Sequence, residues 1–148
     1  MKIGGTYTLA LPPDRAYSVL QDPAVLARCI PGCEGLDKIG EDEYRMKMKM
    51  AIASVSGAFD GKVRIREQSP PDSFRLEVEG SGKIGFVKGS GLLKLAAKDA
   101  GTEVTYDGDV QVGGTIAAIG QRLIDSTAKM MIKRFFDKLA EESQAGGS

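Results

Sequence analysis

Cys29 and Cys33 stand four residues apart in "CIPGC", and the chain contains no histidine. A zinc set of the usual kinds needs further thiolates or imidazoles at matching spacing, so no metal site is expected. Without histidine, neither a Ser-His-Asp nor a Cys-His arrangement can be assembled, and the commonest general base is missing. The carboxylates Glu67, Glu77, Glu79 and Asp107 fall on strand positions that read as outward and solvated. What remains is softer chemistry. Met46, Met48 and Met50 form a thioether ladder at every second residue, an adaptable surface that suits plain core or a ligand of varied shape. Among apolar neighbours only Tyr44, Tyr106 and Thr127 offer polar groups. That is enough to orient a bound molecule and too little to transform one. The pattern points to binding, and no enzyme activity is expected.

Such residues need elements to place them, and strand periodicity dominates the middle of the chain. In "YRMKMKMAIA", Tyr44, Met46, Met48, Met50 and Ile52 share one face, with Arg45, Lys47 and Lys49 on the other. "GAFDGKVRIRE" repeats the pattern through Phe59, Val63 and Ile65, and "SVSG" reads as the tight connection between the two. "SFRLEVEG" sends Phe74, Leu76 and Val78 inward, and the meander continues through Leu93, Leu95, Val104, Tyr106, Val110 and Val112. "DAG" at 99–101 is a turn. "KIGGTYTLAL" supplies a strand at the start, and a short "EGLDKI" would make a seventh. Between them lie two brief helices, one opened by Pro13 and one capped by Asp22 ahead of Pro23.

The spacing predicts one long helix over 115–142, roughly 40 Å at ~1.5 Å per residue. At ~100° per residue, Ile116, Ile119, Gly120, Leu123, Ile124, Thr127, Ala128, Met130 and Met131 share half its circumference. Gly120 and Thr127 then leave a notch at the centre of that face. Arg134 sits near the apolar arc, either because the face rotates there toward Phe135 and Leu139, the favoured reading, or because it caps one end of the pocket. A curled sheet has one face to bury, and this helix is the large element available to cover it. The inward strand positions include Gly61, Gly80, Gly89, Gly91 and Gly108, and there is no tryptophan. Small residues there could simply admit close packing or curvature. Taken together, they predict an underfilled interior and hence an apolar cavity.

The chain has 148 residues, enough for one domain, expected over 1–143 with a frayed tail at 144–148. Its 20 basic and 20 acidic residues balance, which gives no basic field for nucleic acid. No stretch has the length of an export signal or approaches the ~20 apolar residues that span a bilayer, so a cytoplasmic location is expected.

"VGGTIAAIGQRLIDSTAKMMIKRFF" resembles the C-terminal helix signature of the carbon monoxide dehydrogenase CoxG family. "DPAVLARCIPGCEGL", "GSGKIGFVKGSGLLKL" and "TYDGDVQVGG" are similar to its early helix-and-loop motif, its glycine-rich strand pair and its last strand. The resemblance covers nearly the whole chain. It implies an α+β helix-grip fold of the Bet v 1-like, START-like kind: a curved antiparallel sheet of about seven strands around a long C-terminal helix. It also implies a carrier of a membrane quinone such as menaquinone, or of another lipid, serving carbon monoxide dehydrogenase or a related oxidoreductase. The alternative it carries is a non-catalytic assembly or membrane-recruitment factor for a molybdenum hydroxylase. Longer members bear a C-terminal tail associated with membrane attachment, and this sequence stops at Ser148 without one, so either direct anchoring is absent or a native tail was removed. A transient, peripheral contact with the inner face of the membrane is the expectation, with Phe86 inserting between Lys83 and Lys88, against an ordinary hairpin that carries one exposed aromatic. No cofactor is required beyond a bound menaquinone or other apolar lipid. The residues expected to bind it are Met46, Met48, Phe59, Val63, Leu76, Val78, Phe86, Leu93, Tyr106 and Val110 on the strands. From the helix come Ile116, Gly120, Leu123, Ile124, Thr127 and Met131.

Overall fold

The computed structural model describes residues 1–52 and 55–145. Seven strands form one antiparallel sheet: β1 (Lys2–Leu9), β2 (Cys33–Gly40), β3 (Glu43–Ile52), β4 (Val55–Ser69), β5 (Ser73–Gly82), β6 (Gly85–Lys98) and β7 (Gly101–Gly113). Their order is β1-β7-β6-β5-β4-β3-β2, so β2 to β7 run as a meander and β1 pairs back against β7. The chain must therefore travel from one edge of the sheet to the other. Two short helices make that crossing, α1 (Pro13–Val19) and α2 (Pro23–Cys29). This is the expected helix-grip architecture, with "EGLDKI" inside β2 as the seventh strand.

Local chemistry explains the elements. Along β3, Tyr44, Met46 and Met48 are buried while Arg45, Lys47 and Lys49 are exposed, the alternation of a strand with one wet face. Pro13 opens α1, where a missing N–H costs nothing. The Asp22 carboxylate caps α2 by accepting the Ala24 amide at 3.0 Å. Tyr17 ties α1 to the sheet, donating to Gln68 Oε1 at 3.1 Å and meeting Phe74 edge-on. Of the expected "SVSG" connection, Val55, Ser56 and Gly57 belong to β4, paired with Ile52, Ala51 and Met50, and Ser54 lies outside the described residues.

The long helix departs from expectation. β7 passes directly into a short 3-10 segment, Gly114–Ile119, held to the β5–β6 hairpin by the Ile116 amide on the Ile84 carbonyl at 2.9 Å. Gly120 then breaks the path with φ 109° and ψ 146°, a combination open essentially to glycine alone. Only after it does α3 (Gln121–Ala145) begin, and 25 residues make it about 37 Å long. Residues 146–148 of the expected tail lie outside the described residues.

The inward face of α3 is consequently turned by roughly 80° from the one predicted, at ~100° per residue. Ile124, Phe136 and Leu139 are buried and Ala128, Met131, Ile132 and Phe135 half-buried, whereas Leu123 and Met130 are 48% and 42% exposed. Arg134 is exposed beyond the edge of this face, as the rotation toward Phe135 and Leu139 requires. Among the described residues no helix is long and apolar enough to cross a membrane.

Candidate functional site

Strand register places the glycines on the concave face of the sheet. Gly61 pairs with Gly80 and Gly91 with Gly108, while Gly89 lies opposite Val78 on one side and Val110 on the other. Five positions in the middle of the sheet therefore send nothing toward α3. At Gly61 the bend is so tight that a Cβ would stand 2.1 Å from the Glu79 carbonyl oxygen. Around this bare patch the inward side chains Leu76, Val78, Val110 and Val112 are only half-buried, whereas Phe74, Leu93, Leu95 and Val104 nearer the strand ends are buried. The difference is exposure to an internal space.

That space is a cavity of about 370 Å³ between the sheet and the inward face of α3, with Leu26, Ile30 and Pro31 at its α2 side. The volume falls in the roughly 300–1,000 Å³ range of small-molecule sites. Its walls are almost wholly carbon. Met46, Met48 and Met50 run along β3, Met131 faces them from α3, and Met1 joins the same lining. A larger depression of about 450 Å³ lies on the opposite, outward side of the sheet, among Arg45, Asp60, Lys62, Glu79 and Lys88. It holds Phe86 and Val87 as well, but it is ringed by charges and open to solvent, so the more enclosed, carbon-walled interior cavity is the candidate site.

The two ends of the cavity differ. At one, Ile52, Phe59 and Ile116 form a buried cluster with Ile84, Val87 and Val112 packed on it. At the other, the rings of Tyr7, Tyr106 and Phe136 lie nearly parallel, with centroids 4.3 Å apart for Tyr7–Phe136 and 6.2 Å for Tyr106–Phe136. Tyr106 lies across Gly5, where an added Cβ would meet its hydroxyl at 2.9 Å. Burial pushes the Tyr106 phenol above its ordinary range, and the neighbouring Tyr7 adds to the rise. Polar groups in the lining are few. Ser90 Oγ accepts from Arg75 at 3.3 Å, and Asp109 pairs with Lys2 at 3.0 Å, which holds its carboxyl below the usual range.

Of the sixteen residues expected to bind a ligand, twelve line this cavity: Met46, Met48, Phe59, Val63, Leu76, Val78, Leu93, Tyr106, Val110, Ile116, Ile124 and Met131. Four stand elsewhere. Phe86 is 47% exposed on the outward face, stacked on Gly113 across the ladder, because strand alternation turns its neighbour Val87 inward. Gly120 is the break before α3, with nothing within 4 Å of where a Cβ would project. Leu123 and Thr127 fall outside the inward face because the helix starts six residues later than predicted. The expectation missed Ile132, Phe135 and Phe136, which continue the spacing of Ile124 and Ala128 by threes and fours. It also missed Ile3, opposite Gly108 on β1.

The thiols take no part. Cys29 is buried and its thiol is raised by that burial, and Cys33 is half-buried at the start of β2. Among the described residues no cluster of His, Cys, Asp or Glu suits a metal ion.

The sequence matches the model of the carbon monoxide dehydrogenase CoxG family over residues 5–143. A conserved protein from Geobacillus kaustophilus is 37% identical and superposes with a TM-score of 0.91, covering 96% of this chain and 94% of that one. A START superfamily protein from Mycobacterium smegmatis shares the fold at 13% identity and TM-score 0.74, over 97% of each chain. Ara h 8.0201 does so at 12% identity and TM-score 0.71, over 98% of each. No curated protein matches the chain.

Proposed function

The chain belongs to the carbon monoxide dehydrogenase CoxG family, and from that premise we propose that it is a non-catalytic carrier of an apolar ligand. The ligand is an isoprenoid quinone of the menaquinone kind or a comparable lipid. It is taken up from the inner face of the membrane and delivered to a carbon monoxide dehydrogenase or related molybdenum hydroxylase, which owns the redox centres. The observation that carries this reading is the glycine-backed, carbon-walled cavity under α3. Removing an apolar molecule from water contributes roughly 25 cal/mol per Å² without any specific polar contact. A wall of methionines adapts to tails of varied shape.

The test is to incubate the purified protein with membranes, re-isolate it and identify apolar molecules in an organic extract by mass spectrometry. An extract containing quinone or lipid is expected. It should be lost in Ile124→Arg, which places a charge in the cavity, and kept in Leu123→Arg, which places one in solvent. A clean extract from the unmodified protein sinks the carrier reading.

A second reading has its own observation. Phe86 stands exposed on the outward face between the exposed Lys83 and Lys88, an arrangement suited to a membrane surface or a partner protein. As a recruitment factor for a molybdenum hydroxylase, the protein would lose membrane or enzyme binding in Phe86→Ser and be indifferent to Ile124→Arg.

A further inference from the structure

We infer that the cavity holds its guest in one orientation: a flat, carbonyl-bearing head lies against the Tyr106 and Phe136 rings and accepts a hydrogen bond from the Tyr106 hydroxyl. The apolar tail then runs toward the Ile52–Ile116 end. This deepens the carrier reading and rests on it.

The argument is one of chemical contrast along a single space. Of the oxygen-bearing residues in the lining, Ser90 and Asp109 turn their side chains by strand alternation to the outward face, where they meet Arg75 and Lys2, which leaves Tyr106. The Tyr106 hydroxyl makes no hydrogen bond to any described residue. Its ring is fixed from behind by Gly5 and from the side by Phe136, so the donor is held in place before a ligand arrives. The half-buried phenol, raised above its ordinary range, stays protonated, and therefore a donor, at neutral pH. Tyr106 and Phe136, both in the lining, lie nearly parallel with centroids 6.2 Å apart and present aromatic surface to a planar head, with Tyr7 stacked behind Phe136. The far end, around Ile52, Phe59, Ile116 and Val112, has no polar side chain among the described lining residues, so an unpaired carbonyl there would be penalised. From Tyr106 to Val112 along β7 is six residues, about 20 Å at ~3.4 Å each, which sets the length of tail the interior shelters. A longer tail must protrude.

The experiment uses two probes: a 2-methyl-1,4-naphthoquinone with a geranyl tail, and the same skeleton with both carbonyl oxygens removed. Binding is measured by calorimetry to the unmodified protein and to Tyr106→Phe, which keeps the ring over Gly5. The quinone is expected to bind the unmodified protein about fivefold more tightly than the hydrocarbon, the scale of one neutral hydrogen bond. In Tyr106→Phe the two should bind equally. Infrared spectra should show one carbonyl stretch lowered in the unmodified protein and both alike in the variant. A quinone preference or a lowered stretch that survives Tyr106→Phe overturns the inference while leaving the carrier intact. Equal binding of both probes to the unmodified protein does the same. Binding of neither overturns both. Should Tyr106→Phe misfold, Tyr106→Leu, equally without a donor, takes its place, and a quinone preference that survives there overturns the inference.

Discussion

At the scale of single residues, the cavity exists because particular side chains are missing, and not all the glycines behind it are equivalent. A Cβ on Gly89 would meet the Asp109 carbonyl and Val110 at 3.5 Å, an ordinary contact, whereas one on Gly61 would collide with the Glu79 carbonyl at 2.1 Å. Gly89→Val should therefore keep or raise the urea midpoint, since glycine weakens a strand interior, while its isopropyl group enters the cavity and lowers ligand affinity. Gly61→Ala should instead cost about 1–3 kcal/mol by forcing the ladder apart. A pair of urea melts with a ligand titration on each variant separates the two roles. Tyr106 supplies a pH prediction of definite sign. Its phenol is raised in the folded protein, by burial first and Tyr7 second, so the folded state holds that proton more firmly than the unfolded one. The associated stability is present in full below the ordinary tyrosine range and is lost as pH rises through it and beyond. Preference for a carbonyl-bearing guest should likewise be flat from neutral to mildly alkaline pH and vanish on ionisation, while Tyr106→Phe shows no preference at any pH.

At the scale of elements, the strands were legible in the sequence and the final helix only in part, for a physical reason. Period-2 alternation is self-checking, because a one-residue slip would expose every apolar side chain at once. Tyr44, Met46 and Met48 accordingly point where the pattern sends them. A helical face is inferred by carrying angular phase from residue to residue, and that phase is lost wherever the backbone leaves the α-helix. Ile116 and Ile119 belong to a 3-10 segment and are separated from α3 by Gly120, so including them rotated the predicted face. Phe86 was misplaced because a ring next to glycines in a hairpin suggests a mouth, although its own parity with Lys88 puts it outside. The Gly120 break is itself testable. With nothing within 4 Å of its absent Cβ, Gly120→Ala meets no clash, yet its φ of 109° should cost about 1–3 kcal/mol of backbone strain. On the helix that follows, Leu139→Ala removes a fully buried side chain and should cost about 2–5 kcal/mol, while Met130→Ala on the exposed side should be nearly silent. Chemical unfolding of the three variants checks the revised face directly.

For the molecule as a whole, the sheet is closed by small means at its two edges, with α3 laid across the opening. Beside β1, Met1 and Lys2 both engage Asp109, and at α2 the Arg28 side chain reaches Glu142 of α3 at 3.1 Å. These contacts are exposed and individually weak. The principal adhesive between helix and sheet is apolar surface, and the cavity interrupts it. A guest that fills the cavity completes the missing contacts and should act as part of the core, binding the folded state and not the unfolded chain. Stability must then rise with ligand concentration as RT ln(1 + [L]/Kd), about 2.7 kcal/mol at a hundredfold excess over Kd. For a chain of this length that corresponds to roughly 5–10 °C in Tm. Scanning calorimetry across a dilution series of a short-tailed naphthoquinone should show this logarithmic climb for the unmodified protein. Gly89→Val should start at an equal or higher Tm and gain little. A recruitment factor whose interior is merely loosely packed would show no such climb, and Phe86→Ser, remote from the interior, should leave the slope untouched in either case.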